Sequence, residues 1–254
     1  INPAYAGQAG LGLPDPSYYS DQTHADKLAA YQRHVANLLV LAGDTRATAE
    51  QRAEQVVAIE TRLAAASKTN EELSRDVALY YNPVTPAEAD AISPNFPWSE
   101  FFEEQGIDPP PMFSLGMPEF HAEVSKMLAE MPAEHWRSYI RFHTLDSASP
   151  YLSEAFSAEH FDFYRRAMRG QKQDKPRWKR VLDTIDTQAG EALGQMYVQA
   201  AFPPESKSRM QTLVSNLSQA LKLRLEGLQW MSAETRRKAL EKWATFTPKI
   251  GYPD

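Results

Sequence analysis

At 254 residues the chain has the length of one large domain or two small ones, enough to bury about 70–75% of its unfolded surface. It contains no cysteine, which excludes disulfide scaffolds, thiolate zinc sites and cysteine nucleophiles. Its 33 acidic residues outnumber 27 basic ones, for a net charge of -6, whereas nucleic-acid binders carry a basic excess, and no stretch approaches the roughly 18 unbroken apolar residues of a membrane span.

Residues 1–20, INPAYAGQAGLGLPDPSYYS, hold three of the eleven glycines and three prolines and read as an extended opening segment. From Asp21 to Ala42, Leu28, Tyr31, Val35, Leu38, Leu39 and Ala42 recur at three and four, predicting a helix opened by Thr23 and Asp26 and stopped at Gly43. Thr48 and Gln51 open a second helix to about Ser67 that buries Val56, Val57 and Leu63, and the short connection makes the two an αα-hairpin. A third helical piece spans Asn70–Leu79. Prolines 83, 86, 94 and 97 then break the chain into a loop, a short helix over Pro86–Ile92 and a turn at Trp98–Gln105.

The run GIDPPPMFSLGMP (106–118) cannot be helical, because three consecutive prolines enforce an extended backbone; a short strand is expected within Met112–Met117. Helices are predicted at Glu119–Glu130, Pro132–Leu145, Ser149–Ala155 and Glu159–Met168. Two long ones follow at Pro176–Phe202 and Glu205–Gln229, and Ser232 caps a last one to about Thr245. The fold class is all-α, with αα-hairpins, an irregular proline-rich middle segment and little or no β. No repeat of constant period supports a solenoid. The domain reading is an opening segment over 1–20 and one helical domain over 21–254. Both ends read as cut from a longer protein.

No self-contained active site is legible. A zinc-hydrolase helix needs two His at i and i+4 with a Glu between them, and His24, His34, His121, His135, His143 and His160 offer no such pair. His135 and His143 are eight residues apart, about 12 Å along a helix. Each histidine therefore reads as a surface or locally hydrogen-bonded residue. Glu134-His135 and Glu159-His160 are adjacent pairs whose side chains point apart. There is no phosphate loop, nucleophile elbow or calcium loop. Gly190 and Gly194, four apart on one helix, predict the close approach of another helix.

One charge feature is uneven. Arg165, Arg166, Arg169, Lys172, Lys175, Arg177, Lys179 and Arg180 accompany a single acid, Asp174. The plain reading is a solvated junction between helices; the sharper one is a positive surface that draws in peptide carboxylates.

Several stretches occur in a telling order: GLGLPDPSYYS, FHTLDSASPYLSEAF, Pro176-Arg177-Trp178, ALGQMYVQAAF (192–202), Trp230-Met231-Ser232-Ala233-Glu234-Thr235 and Lys249-Ile250-Gly251-Tyr252-Pro253-Asp254. Together they resemble the N-terminal region of the neprilysin-like zinc metallopeptidases, over essentially the whole chain. The resemblance implies a two-domain metalloendopeptidase in which a helical domain caps a catalytic domain and encloses a chamber that limits peptide size. The zinc, its HExxH ligands and the general base would lie in that other domain, so no catalytic or metal-binding residue is assigned here. Gly251, Tyr252 and Pro253 would form the interdomain connection. The expected partners are the protein's own catalytic domain and oligopeptide substrates, with no nucleic acid and no membrane span. The absence of cysteine suits a bacterial member, and the expected location is periplasmic or extracellular, with the cytoplasm as the alternative. The rival function is a stand-alone helical peptide- or protein-binding module without enzymatic activity.

Overall fold

The computed structural model describes residues 3–252 and divides the chain into two compact units, 1–174 and 175–254. In unit 1, α1 (Ala25–Leu41) and α2 (Arg46–Ala66) pack as the predicted hairpin, and α7 (Ala133–Ala148) lies across both. The caps fall one turn earlier than the sequence suggested. Thr45, rather than Thr48, accepts from the Thr48 amide to open α2, and Asp21 caps a 3-10 turn (Gln22–His24) that runs into α1. Capping rewards any short side chain that reaches an orphan amide, so neighbouring Thr and Asp compete and backbone path decides between them.

Between the hairpin and α7 come α3 (Asn70–Arg75), α4 (Pro86–Ile92), α5 (Trp98–Glu104) and α6 (Pro118–Glu130). Thr69 and Thr85 build capping boxes with Glu72 and Glu88. The expected strand is β3 (Phe113–Leu115), which pairs parallel with β1 (Tyr5–Ala6) and antiparallel with β2 (Pro83–Val84), in the order β1-β3-β2. Ser149–Tyr151 forms a 3-10 turn instead of a helix. It leads to α8 (Glu154–Phe161), and the predicted helix to Met168 finishes as a π-helical turn, Asp162–Ala167.

Three apolar clusters hold unit 1 together. Tyr31, Val35, Leu38 and Leu39 of α1 meet Ala53 and Val56 of α2, Phe142 of α7 and Phe163 of the π turn. Ile59 and Leu63, further along α2, meet Met117, Phe120 and Met127. Trp98, Phe102, Phe113 and Leu115 pack around the small sheet. Each fully buried large side chain contributes roughly 1.5–3 kcal/mol.

Unit 2 contains α9 (Arg177–Ala201), α10 (Pro204–Gly227) and α11 (Ala233–Ala244), the last capped by Ser232 as predicted. The indole N–H of Trp243 donates to the Ser218 carbonyl at 2.9 Å and ties α11 to α10. Gly190 and Gly194 do not mark a helix crossing: a Cβ at Gly194 would meet nothing within 4 Å, and one at Gly190 only its own helix's Asp186. They adjoin a break at Ala189, whose φ of -143° is not helical; paired glycines weaken a helix enough to permit such a kink. No helix among the described residues is long and apolar enough to cross a membrane.

Candidate functional site

Two polar centres lie inside the apolar body of unit 1. In the first, Glu60 is fully buried on the apolar stripe of α2, one residue beyond Ile59. Its carboxylate accepts from the Tyr19 hydroxyl at 2.5 Å, the Tyr31 hydroxyl at 2.7 Å and the Gly12 amide at 3.2 Å, and His143 Nε2 lies 2.8 Å away. Burial first, and the Glu60 charge second, push the Tyr19 and Tyr31 hydroxyls far above the usual tyrosine range, so both stay protonated donors. The GLGL segment is built for this approach. A Cβ at Gly12 would overlap the Tyr31 hydroxyl, and one at Gly10 (φ 92°) would come within 2.5 Å of the Tyr139 hydroxyl, which donates to the Gly10 carbonyl. His143 also borders a surface depression of about 730 Å³ together with Tyr139, Thr144 and Ser147.

In the second centre, His34 of α1 is only 1% exposed and is held between two acids. Its Nε2 lies 3.1 Å from Asp146 of α7, and its Nδ1 lies 3.1 Å from Glu159 of α8. Its ring stacks on Phe163 with centroids 4.6 Å apart. Tyr164 donates to the other Asp146 oxygen at 2.7 Å, and Asn37 donates to Glu159 at 3.2 Å. Burial opposes a charge on His34, but the bonds to Asp146 and then Glu159 outweigh it and hold the imidazole above its ordinary range. Burial opposes ionisation of the two acids as well, yet the His34 bonds keep both below theirs.

The histidine reading from sequence missed these partners, which lie 112 and 125 residues away in the chain. Glu159 turns to His34 rather than to its neighbour His160. A signal was present: Tyr31 and His34 on α1, and Glu60 on α2, fall among the apolar positions of their helices, where an unpaired charge is costly.

Neither centre suits zinc. No group of three or more His, Cys, Asp or Glu side chains that could hold a metal gathers among the described residues. Glu60 and His34 are already filled by hydrogen-bond partners, and structural or catalytic zinc needs at least three protein ligands.

Unit 2 presents the opposite surface. None of its described residues is buried, and Trp178, Met196, Tyr197, Leu217, Leu223 and Trp230 are each at least 60% exposed. A groove of about 1260 Å³ runs between α10, α11 and residues 246–252, lined in part by Leu217, Leu221, Trp243, Phe246 and Ile250. Of the expected connection, Gly251 packs on Phe202, and Tyr252 receives Lys207 Nζ 3.9 Å from its ring centroid; Pro253 lies outside the described residues.

The basic run straddles the boundary between the units. Arg165 and Arg166 sit on the π turn, where Arg166 pairs with Asp162; Arg169 closes the helical turn that follows and Lys172 lies in the coil beyond it, both exposed. In unit 2, Lys175 pairs with Asp183 at 2.5 Å, Arg177 and Lys179 are exposed, and Arg180 is half-buried.

A nearly all-helical architecture with a three-stranded scrap of sheet in unit 1 defines the class as all-α. The sequence matches the model of Peptidase family M13 over residues 2–253. It is 30% identical to mouse (Mus musculus) endothelin-converting enzyme 1, over 97% of this chain and 33% of that protein. It is also 30% identical to rat (Rattus norvegicus) endothelin-converting enzyme-like 1, over 97% of this chain and 32% of that one. The zinc metalloprotease Zmp1 of Mycobacterium tuberculosis, in complex with an inhibitor, superposes with a TM-score of 0.85 at 35% identity, covering 94% of this chain and 36% of Zmp1. PepO of Lactobacillus rhamnosis, at 22% identity and a TM-score of 0.83 over 96% of this chain and 39% of PepO, shares the fold. The chain belongs to peptidase family M13 and is its neprilysin-like N-terminal region. It spans about a third of the length of the curated relatives it matches.

Proposed function

We propose that this chain is the helical half of a zinc-dependent oligopeptidase, closing a chamber that admits only short peptides, with the zinc and its ligands carried by residues outside these 254. The carrying observation is the unburied apolar surface of α9–α11 with its groove. Contiguous apolar area of this kind marks a surface that something covers, and the chain accounts for a third of its relatives' length. Relatives named endothelin-converting enzyme and zinc metalloprotease supply the reaction class, and an open state of Zmp1 is in keeping with a chamber that opens and closes.

The role of this chain's own residues is to bind, orient and exclude. The cations of 165–180 would attract the carboxylates of incoming peptides by steering, and Gly251, Tyr252 and Pro253 would carry the chain towards the catalytic half. An exported protein, periplasmic or extracellular, fits the cysteine-free bacterial reading.

The test compares this chain with the full-length protein on unstructured peptides, with and without chelator. Turnover confined to the full-length protein and abolished by the chelator is expected; chelator-sensitive cleavage by this chain alone overturns the proposal. Leu217→Asp with Leu221→Asp adds a second arm. In the full-length protein the pair lowers stability and activity together, whereas a stand-alone binding module would keep its stability.

A further inference from the structure

We infer that the Asp146–His34–Glu159 clamp makes the seating of α8 and the π turn on α1 and α7 pH-dependent: tight while His34 is a cation, and loosened when alkaline conditions remove its second proton. The geometry carries this. Both ring nitrogens face carboxylate oxygens at 3.1 Å. An ionised carboxylate only accepts, and only the imidazolium donates from both nitrogens. A neutral ring would set one lone pair against an oxygen lone pair in a buried site, so one of the two bonds fails.

No neighbour replaces the lost proton. From α7 come Asp146 and His143, the latter engaged by Glu60. From α8 come Glu159 and His160, whose imidazole burial holds below its ordinary range. The π turn supplies Tyr164, already donating to Asp146, and Arg165, which acts on His160. From α2, Arg46 reaches Glu159 through Asn37, and Glu60 adds a further negative charge near Tyr164. On α1 itself, Tyr31 is bound to Glu60 and Lys27 donates to the Ala167 carbonyl.

The sign follows. His34 is held above its unfolded value, so its contribution is complete below the ordinary histidine range and is lost as pH rises through the folded value. The two acids act oppositely: their contribution is present above the ordinary carboxylate range and fades only in acid. The seat is therefore tightest in mild acid. What it fastens is the segment that inserts Phe161 and Phe163 into unit 1 and leads to the unit's limit at Asp174, so the opening is local rather than global.

Hydrogen–deuterium exchange of the full-length protein, corrected for the pH dependence of chemical exchange, tests the clamp. Peptides covering 154–167 should lose protection about tenfold between about pH 6 and about pH 9, while peptides covering 46–66 hold steady. Asp146→Asn should abolish that fall, because its amide donates to a neutral imidazole while its carbonyl still accepts from Tyr164. A flat wild-type profile, or the same decline in Asp146→Asn, overturns the inference. If that variant does not fold, exchange at the His34 ring carbon in the wild type decides: a midpoint above the ordinary value of about 6.5 supports the clamp, and one at or below it overturns it.

Discussion

Unit 1 and unit 2 are both helical, yet they solve the solvent problem differently. Unit 1 buries Tyr31, Leu38, Leu39, Ile59 and Phe142 completely and can even enclose Glu60 and His34 by giving each several partners. Unit 2 has helices of 25, 24 and 12 residues, and no described residue in it is buried. Helix length and capping are thus not what distinguishes a self-sufficient core. An amphipathic helix draws most of its stability from the packing of its apolar face, so the first unit is a finished core and the second a set of helices whose apolar faces remain exposed.

The largest expected effect breaks that contrast at its strongest point. Phe142→Ala removes a ring that meets Tyr31, His34 and His143, and should cost unit 1 roughly 3–5 kcal/mol in denaturant unfolding. Leu217→Ala, 61% exposed on α10, should stay within about 0.5 kcal/mol in the same chain. Equal losses would mean that unit 2 has a core of its own.

Next is Glu60→Ala, which leaves two tyrosine hydroxyls and the Gly12 amide without their acceptor. A loss of about 3 kcal/mol is expected by urea unfolding, and a neutral outcome would show that water replaces the carboxylate.

Acid titration is a smaller probe. Asp146 and Glu159 are held below their ordinary values, so their stabilisation is present above that range and is lost as pH falls through the folded values. Unfolding free energies at about pH 6 and about pH 3, from urea titrations, should differ by about 1 kcal/mol more in the wild type than in Asp146→Asn. Indistinguishable differences would remove the acids from the clamp.

The smallest effect sharpens the comparison from the other side. Lys238 pairs with Glu234 at 3.2 Å on exposed α11, and Lys238→Ala should change the melting of the chain by no more than about 0.5 kcal/mol. A larger loss would identify α11 as supported by its surface charges.

Much of the fold could be read from local pattern. Pro86–Ile92 appears with the predicted bounds, Ser232 caps α11, and the strand forms at Phe113–Leu115, inside the segment where prolines forbid a helix. Local chemistry was less decisive where several residues could do one job, as at Thr45 and Thr48, or where a helix changes pitch, as at Asp162–Ala167. The polar centres were hardest to find. His34 looked ordinary because its partners are remote in the chain, and Glu60 looked like one more acid among 33.

Periodicity, proline placement and the ordered GLGLP, FHTLDS and IGYPD stretches were enough on their own to determine an all-α chain of the neprilysin-like family, because those signals depend on neighbours within a few residues. Which charges enter the core, which acid each histidine faces, and that α9–α11 leave their apolar sides uncovered were decided only by tertiary structure. These outcomes depend on contacts between residues 29 to 125 positions apart, and on the burial that alone makes a charge require a partner.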